Sequence, residues 1–266
     1  MWIFEDMLIL IYCCVIAGIL GAVFGSFLNC AAWRVAHGES VTKGRSHCTS
    51  CGHVLSAPDL IPVFSWIFLG GKCRHCGAKV SVRYLLAELF MAAVFVLTLL
   101  QGGMTVLTLR NLILACLLFL LSMVDLEIFE IPDSCIVIAL LLWAVTAPFL
   151  MASWAEVGWH VLAAVIYGGG MLAFSLLFDR IMGRETMGGG DIKLYAVAGL
   201  YLGLLPGLFT LILSCFLGLA FAAVCRSRIK EADGQIPFGP AIALASWLML
   251  LYGDLLAGWY LGLMGL

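Results

Sequence analysis

Seven apolar stretches dominate this chain, at residues 7–33, 84–100, 106–124, 134–151, 157–178, 194–224 and 238–266. Most of them reach or approach the roughly 20 residues that a helix needs to cross hydrocarbon. Lipid offers backbone amides no water to bond, so such stretches are restricted to helices packed in a bundle. The rest of the composition allows little else. With 64% hydrophobic residues, 11% charged residues and a mean hydropathy of +1.11, there is too little charge to cover a soluble globule. The expected fold class is an all-α polytopic membrane protein whose surroundings are membrane lipid. The first stretch follows acidic Glu5 and Asp6 and is longer than a signal-peptide core, so it reads as a span. A net charge of -2 gives no support for a nucleic-acid partner.

The placement of charge sets the topology. Residues 34–83 form the one long polar segment and hold seven of the 14 Lys and Arg residues, so the positive-inside rule makes the segment cytoplasmic and the N-terminus external. Stretch 194–224 is too long for one perpendicular helix, and Leu205-Pro206-Gly207 interrupts it, which predicts two spans and about eight in all. With eight, the Arg180/Arg184 and Arg226/Arg228/Lys230 clusters both fall in the cytoplasm. The first piece of the split is short and reads as tilted or partly crossing. The resulting organisation is a first span over 1–33, a cytoplasmic cysteine-bearing loop domain over 34–83, and a helical core over 84–266.

Two Cys-x-x-Cys knuckles, Cys48/Cys51 and Cys73/Cys76, lie in the polar loop, each followed by a glycine, Gly52 or Gly77. Four thiolates at that spacing can close a tetrahedral zinc site, and the glycines permit turns that aim backbone amides at sulfur. Two disulfides are the competing reading. A reducing cytoplasm disfavours them. His47, His53 and His75 flank the knuckles and read as solvated. The remaining cysteines are scattered through apolar stretches, where packing explains them.

Two aspartates stand at the ends of apolar stretches. Asp125 lies in Met123-Val124-Asp125-Leu126-Glu127-Ile128-Phe129-Glu130-Ile131-Pro132-Asp133, and Asp191 in Met187-Gly188-Gly189-Gly190-Asp191-Ile192-Lys193. A carboxylate at the edge of hydrocarbon costs at least about 2.5 kcal/mol on insertion scales, so an embedded pair points to use. The topology puts both on the cytoplasmic side at one membrane depth. Two such groups in a low dielectric share a proton. That is the state needed to hydrolyse a peptide bond, with one carboxylate taking a proton from the attacking water while the other polarises the scissile carbonyl. Glycines 188–190 allow close backbone approach beside Asp191, or are a plain linker. Lys193 either stabilises ionised Asp191 or anchors its helix at the headgroups. Asp133 reads as a helix cap, Glu127 and Glu130 as solvated, Asp179 and Asp254 as interfacial, and Glu88 as an embedded acid with no role of its own.

On these residues the chain resembles the type IV prepilin peptidases, membrane aspartic proteases of pilus and type II secretion systems. The resemblance spans nearly the whole length. It rests on Gly25-Ser26-Phe27-Leu28-Asn29 with Arg34, on Arg45 to His53 around the first knuckle, on Asp59 with Ile61-Pro62, and on Ser81, Arg83-Tyr84 and Glu88 after the second. Asp125 to Asp133, Gly188-Gly189-Gly190-Asp191 and Phe238-Gly239-Pro240 complete it. It implies a bacterial inner-membrane enzyme that removes a short basic leader from prepilins or pseudopilins at the cytoplasmic face, with Asp125 and Asp191 as catalytic residues. It also implies N-methylation of the new N-terminus by S-adenosylmethionine, for which polar positions from Asn29 to Glu88 are candidates. The competing class is a proton-coupled transporter. Both aspartates lie near one face, away from the midplane, and no internal repeat is visible.

Overall fold

The computed structural model describes residues 7–184, 186–224 and 236–265, and its described elements are helical. Arg226, Arg228 and Lys230, used above to assign topology, lie outside them. The chain falls into two compact units, Met1–Leu112 and Ile113–Leu266.

The first unit holds α1 (Met7–Ala36), the short α2 (Phe64–Phe68) and α3 (Val82–Gly102). Helices α1 and α3 pack along their length because small residues let their backbones meet. A Cβ on Gly21 would lie 2.4 Å from the Met91 carbonyl oxygen, and one on Gly25 would lie 2.7 Å from that of Ala87. Without a hydrophobic drive between helices in lipid, such close backbone packing is what holds a pair together. Ser81 caps α3 by accepting the Arg83 amide.

Helix α4 (Val106–Ile128) leads into the second unit, which continues with α5 (Asp133–Leu150), α6 (Trp154–Met182), α7 (Gly189–Leu202), α8 (Leu204–Val224) and α9 (Gly239–Met264). At its centre is α7, 14 residues and therefore about 21 Å long. Its Leu194, Tyr195, Val197, Ala198, Leu200 and Tyr201 are all buried, because α5, α6, α8 and α9 all contact it. A helix covered on all sides can be apolar all round. Tyr201 donates its hydroxyl to the Ala139 carbonyl of α5 (2.8 Å), and the Tyr195 and Ser214 hydroxyls pair at 2.6 Å between α7 and α8.

The split of 194–224 into two helices is present, but the break is at Gly203 rather than at 205–207. Gly203 adopts φ 75°, a left-handed conformation that favours glycine, whereas Pro206 falls in the first turn of α8, where a missing N–H costs nothing. Side chains of α6 flank the break: the His160 ring bonds the Leu200 oxygen (2.9 Å) before it, and the Tyr167 hydroxyl donates to the Leu204 carbonyl after it. Among the described residues seven helices are long and apolar enough to cross a membrane, α1, α3, α4, α5, α6, α8 and α9. The eighth expected span is the short α7.

Candidate active site and metal centre

Asp125 sits in the last turn of α4 and Asp191 in the first turn of α7, both within the second unit. The turn that follows α4 packs against the start of α7, which places the two acids on neighbouring segments. Two contacts draw these segments together. Gly190 has no side chain, so Ile131 of the α4–α5 turn fills the space; a Cβ there would lie 2.8 Å from that of Ile131. The Lys193 ammonium meets the Asp133 carboxylate at 2.6 Å. Lys193 therefore pairs with Asp133, which neither of the two sequence readings foresaw. Asp133 is also not the cap of α5. Pro132 occupies that position, and Asp133 is the first helical residue, where its charge suits the helix dipole.

Asp125 is 4% exposed and Asp191 half-buried. The Gly239 amide, at the start of α9, donates to Asp125 Oδ2 at 2.9 Å, leaving the other carboxyl oxygen for a second partner. All three residues of Phe238-Gly239-Pro240 have a part in this contact. Phe238 stacks onto bare Gly218 of α8, Pro240 occupies the first turn of α9, and Gly239 lets the carboxylate approach, since a Cβ there would lie 2.7 Å from Oδ2. The segment before Asp191 is held as well: Asp179 Oδ1 accepts from both the amide and the hydroxyl of Thr186, each at 2.6 Å. Asp179 thus orders the loop that delivers the glycines. Gly168, in α6, packs on Ala196 of α7.

In the first unit the two knuckles face each other. The Sγ atoms of Cys48, Cys51, Cys73 and Cys76 all lie within 4.8 Å of one another, with Cys48 and Cys76 at 3.9 Å. A tetrahedral zinc with bonds of about 2.3 Å sets its sulfurs about 3.8 Å apart, so the set fits that ion. Each knuckle is a tight turn closed by a glycine at positive φ, with Gly52 N–H donating to the Cys48 carbonyl and Gly77 N–H to that of Cys73. The Cys51 and Ser50 amides hold the Cys48 thiol down at about 6. At Cys76 the Ala78 amide pulls the other way, but loss of water and the three neighbouring sulfurs push the thiol up to about 11. Neighbouring sulfurs thus favour the thiolate at Cys48 and oppose it at Cys76, and a divalent cation removes that conflict. His53 and His75 stack on each other at 4.2 Å and supply no ligand atom to the cluster.

Asp59 caps its own turn by accepting from the Ser56 hydroxyl and amide, and meets Arg74 at 2.7 Å; these contacts hold its carboxyl at about 2. Glu88 accepts the Val63 amide at 2.7 Å, a partner 25 residues away that no sequence pattern revealed.

Two family models match the chain: Bacterial Peptidase A24 N-terminal domain over residues 19–101 and Type IV leader peptidase family over residues 112–223. The chain belongs to the type IV leader peptidase family. That membership makes it a peptidase. Curated relatives agree along most of the length. The prepilin leader peptidase/N-methyltransferase of Aeromonas salmonicida (strain A449) is 36% identical over 223 residues, 82% of this chain and 74% of the relative. Proteins of the same name from Dichelobacter nodosus and Bacillus subtilis (strain 168) are 34% and 32% identical, covering 89% and 91% of this chain and 90% and 96% of theirs. No solved structure matches it. Both aspartates fall within the region matched by the leader peptidase model, and all four cysteines within the N-terminal one.

Proposed function

We propose that the protein is an aspartic endopeptidase of the bacterial inner membrane that removes the short basic leader of prepilins or pseudopilins at the cytoplasmic face, with Asp125 and Asp191 as its catalytic pair. The supporting observation is that two buried or half-buried acids come from different helices whose segments are joined by Gly190 against Ile131 and Lys193 against Asp133. One carboxylate accepts a proton from water as the oxygen attacks the scissile carbonyl, and the protonated partner donates a hydrogen bond to the carbonyl oxygen as it becomes negative. Collapse of the tetrahedral species breaks the C–N bond, and the amine leaves with a proton from the dyad. No covalent intermediate forms. The Gly239 amide fixes Asp125 for this work, and Asp179 with Thr186 steadies the segment that carries Asp191.

The substrate suits the site. A prepilin's apolar helix lies in the bilayer beside the spans, which presents the junction with the leader at the depth of the two acids and raises its effective concentration. We assign proteolysis to residues 84–266, with both acids from the second unit, and zinc to the four cysteines of the 34–83 loop, where the ion supplies a structural crosslink. N-methylation of the exposed amine, with S-adenosylmethionine as co-substrate, follows from the names of the relatives, and the polar positions from Asn29 to Glu88 are its candidate region. The test is to incubate the purified protein with a synthetic prepilin and the methyl donor, then weigh the products. Loss of the leader plus one methyl group is the expected result. An uncut substrate refutes the peptidase reading, and a cut product of unchanged N-terminal mass refutes the second activity.

A further inference from the structure

The peptidase reading makes no use of residues 60–68. They lie in the polar loop, yet Leu60, Ile61, Phe64, Ile67 and Phe68 are all exposed, Phe68 at 82%. Phe64, Ile67 and Phe68 stand at i, i+3 and i+4 of α2 and so share one face, and the two phenyl rings stack at 6.3 Å. The opposite side is committed to the loop itself: Trp66 donates its indole N–H to the Val80 carbonyl (3.3 Å) and covers Gly71. The apolar face is thus fixed outward and is not a core that failed to close.

Its height along α3 is also fixed. The residue before α2, Val63, is bound through its amide to Glu88, which is buried and six residues into α3, about 9 Å along the axis from Val82. Glutamate side chains lean back toward the N-terminus of their helix, so the bond lies within the first turns of α3. Those turns direct Leu86, Leu89 and Phe90 outward, as a lipid-facing helix does. Val63 itself has φ 65°, a conformation that a β-branched residue adopts only when its surroundings impose it. Exposed Lys72 and Lys79 lie across from each other in the adjoining knuckle, suited to anionic headgroups.

The geometry points to α2 as an interfacial helix. Its Phe64–Ile67–Phe68 face, with Leu60 and Ile61, inserts into the headgroup–acyl boundary of the bilayer that α1 and α3 cross, anchoring the four-cysteine loop to the membrane surface. The occupant is lipid because the Val63–Glu88 bond ties the start of α2 to the first turns of α3, which sets the exposed apolar face at the bilayer surface; this rests on α3 being a span, and not on the chemistry of the aspartates.

The test uses the full-length protein at low density in vesicles of phosphatidylcholine and phosphatidylglycerol, with a phosphatidylcholine that carries a diazirine near the glycerol end of one chain. After irradiation and digestion, mass spectrometry locates the adducts. Adducts on residues 60–68 as well as on Leu86, Leu89 and Phe90 are expected, and in the Phe64→Ser/Phe68→Ser variant those on Leu60, Ile61 and Ile67 should disappear while those on α3 persist. Wild-type protein labelled on α3 but not on 60–68 overturns the proposal whatever the variant does. So does loss of the 60–68 adducts, with those on α3 kept, at higher protein density or on addition of a prepilin, which would make the face a docking surface for protein.

Discussion

Replacing Gly239 with alanine tests the least expected feature of the site. The new Cβ would lie 2.7 Å from Asp125 Oδ2, 3.1 Å from its Cγ and 3.3 Å from its Cβ, and the near atom is a buried carboxylate with no free rotation away from the contact. The carboxylate must move, and its 2.9 Å bond to the Gly239 amide is stretched or lost. A hydrogen bond to a charged group contributes about 1.5–3 kcal/mol, equivalent to roughly 10- to 150-fold in rate if it is lost in the transition state. A displacement of about 1 Å in a catalytic group adds a further factor of order 100. Cleavage of a synthetic prepilin by Gly239→Ala should therefore fall at least about a hundredfold, chiefly in kcat, in protein that still melts cooperatively. Gly258→Ala on the same helix has open space around its Cβ and serves as the control with unchanged rate. If Gly239→Ala cleaves at the wild-type rate, the amide does not position Asp125.

Other consequences are equally direct. Cys48→Ser with Cys73→Ser should lower bound zinc and leave the 34–83 loop open to proteases; retention of stoichiometric zinc by that variant counts against the four-thiolate site. Ser56→Ala removes the main contact that depresses Asp59, so its NMR titration midpoint should rise from about 2 toward the ordinary carboxylate value of about 3.9. Because the folded value is the lower one, Asp59 supports the loop above about pH 4 and loses that role as pH falls toward 2; an unmoved midpoint would assign the effect to Arg74 instead. The Lys193–Asp133 pair is exposed at both ends, 51% and 69%, so a double-mutant cycle on melting should give a coupling below about 1 kcal/mol. A larger coupling would mark the pair as a structural clasp.

Much of this was legible in the chain before folding. Hydrocarbon-length apolar stretches dictate helices, and a carboxylate inside them is conspicuous, which is why Asp125 and Asp191 stood out. The knuckles were legible because metal ligation repeats at a short fixed spacing. What the sequence withheld were contacts between residues far apart. Gly239 reaches Asp125 across 114 positions, and only the Phe238-Gly239-Pro240 motif hinted at it. Glu88 looked like an embedded acid without purpose because its partner is a main-chain amide, which carries no residue-type signal. The same holds for Asp179, which read as interfacial and turned out to bind Thr186. Proline drew the expected break to 205–207, but proline is tolerated in a first turn, and the residue that breaks the helix is Gly203. Helix α2 was hidden by its length, five residues being too few to show a period.

The central claim, that Asp125 and Asp191 act together on a peptide bond, is tested most directly by single-turnover cleavage of a synthetic prepilin with Asp125→Asn and with Asp191→Asn, each shown to be folded by its melt. Neither variant should release leader peptide, since each lacks one of the two groups that must exchange a proton, while both should still methylate an already processed pilin. Leader release by either variant at a substantial fraction of the wild-type rate would contradict the two-aspartate mechanism.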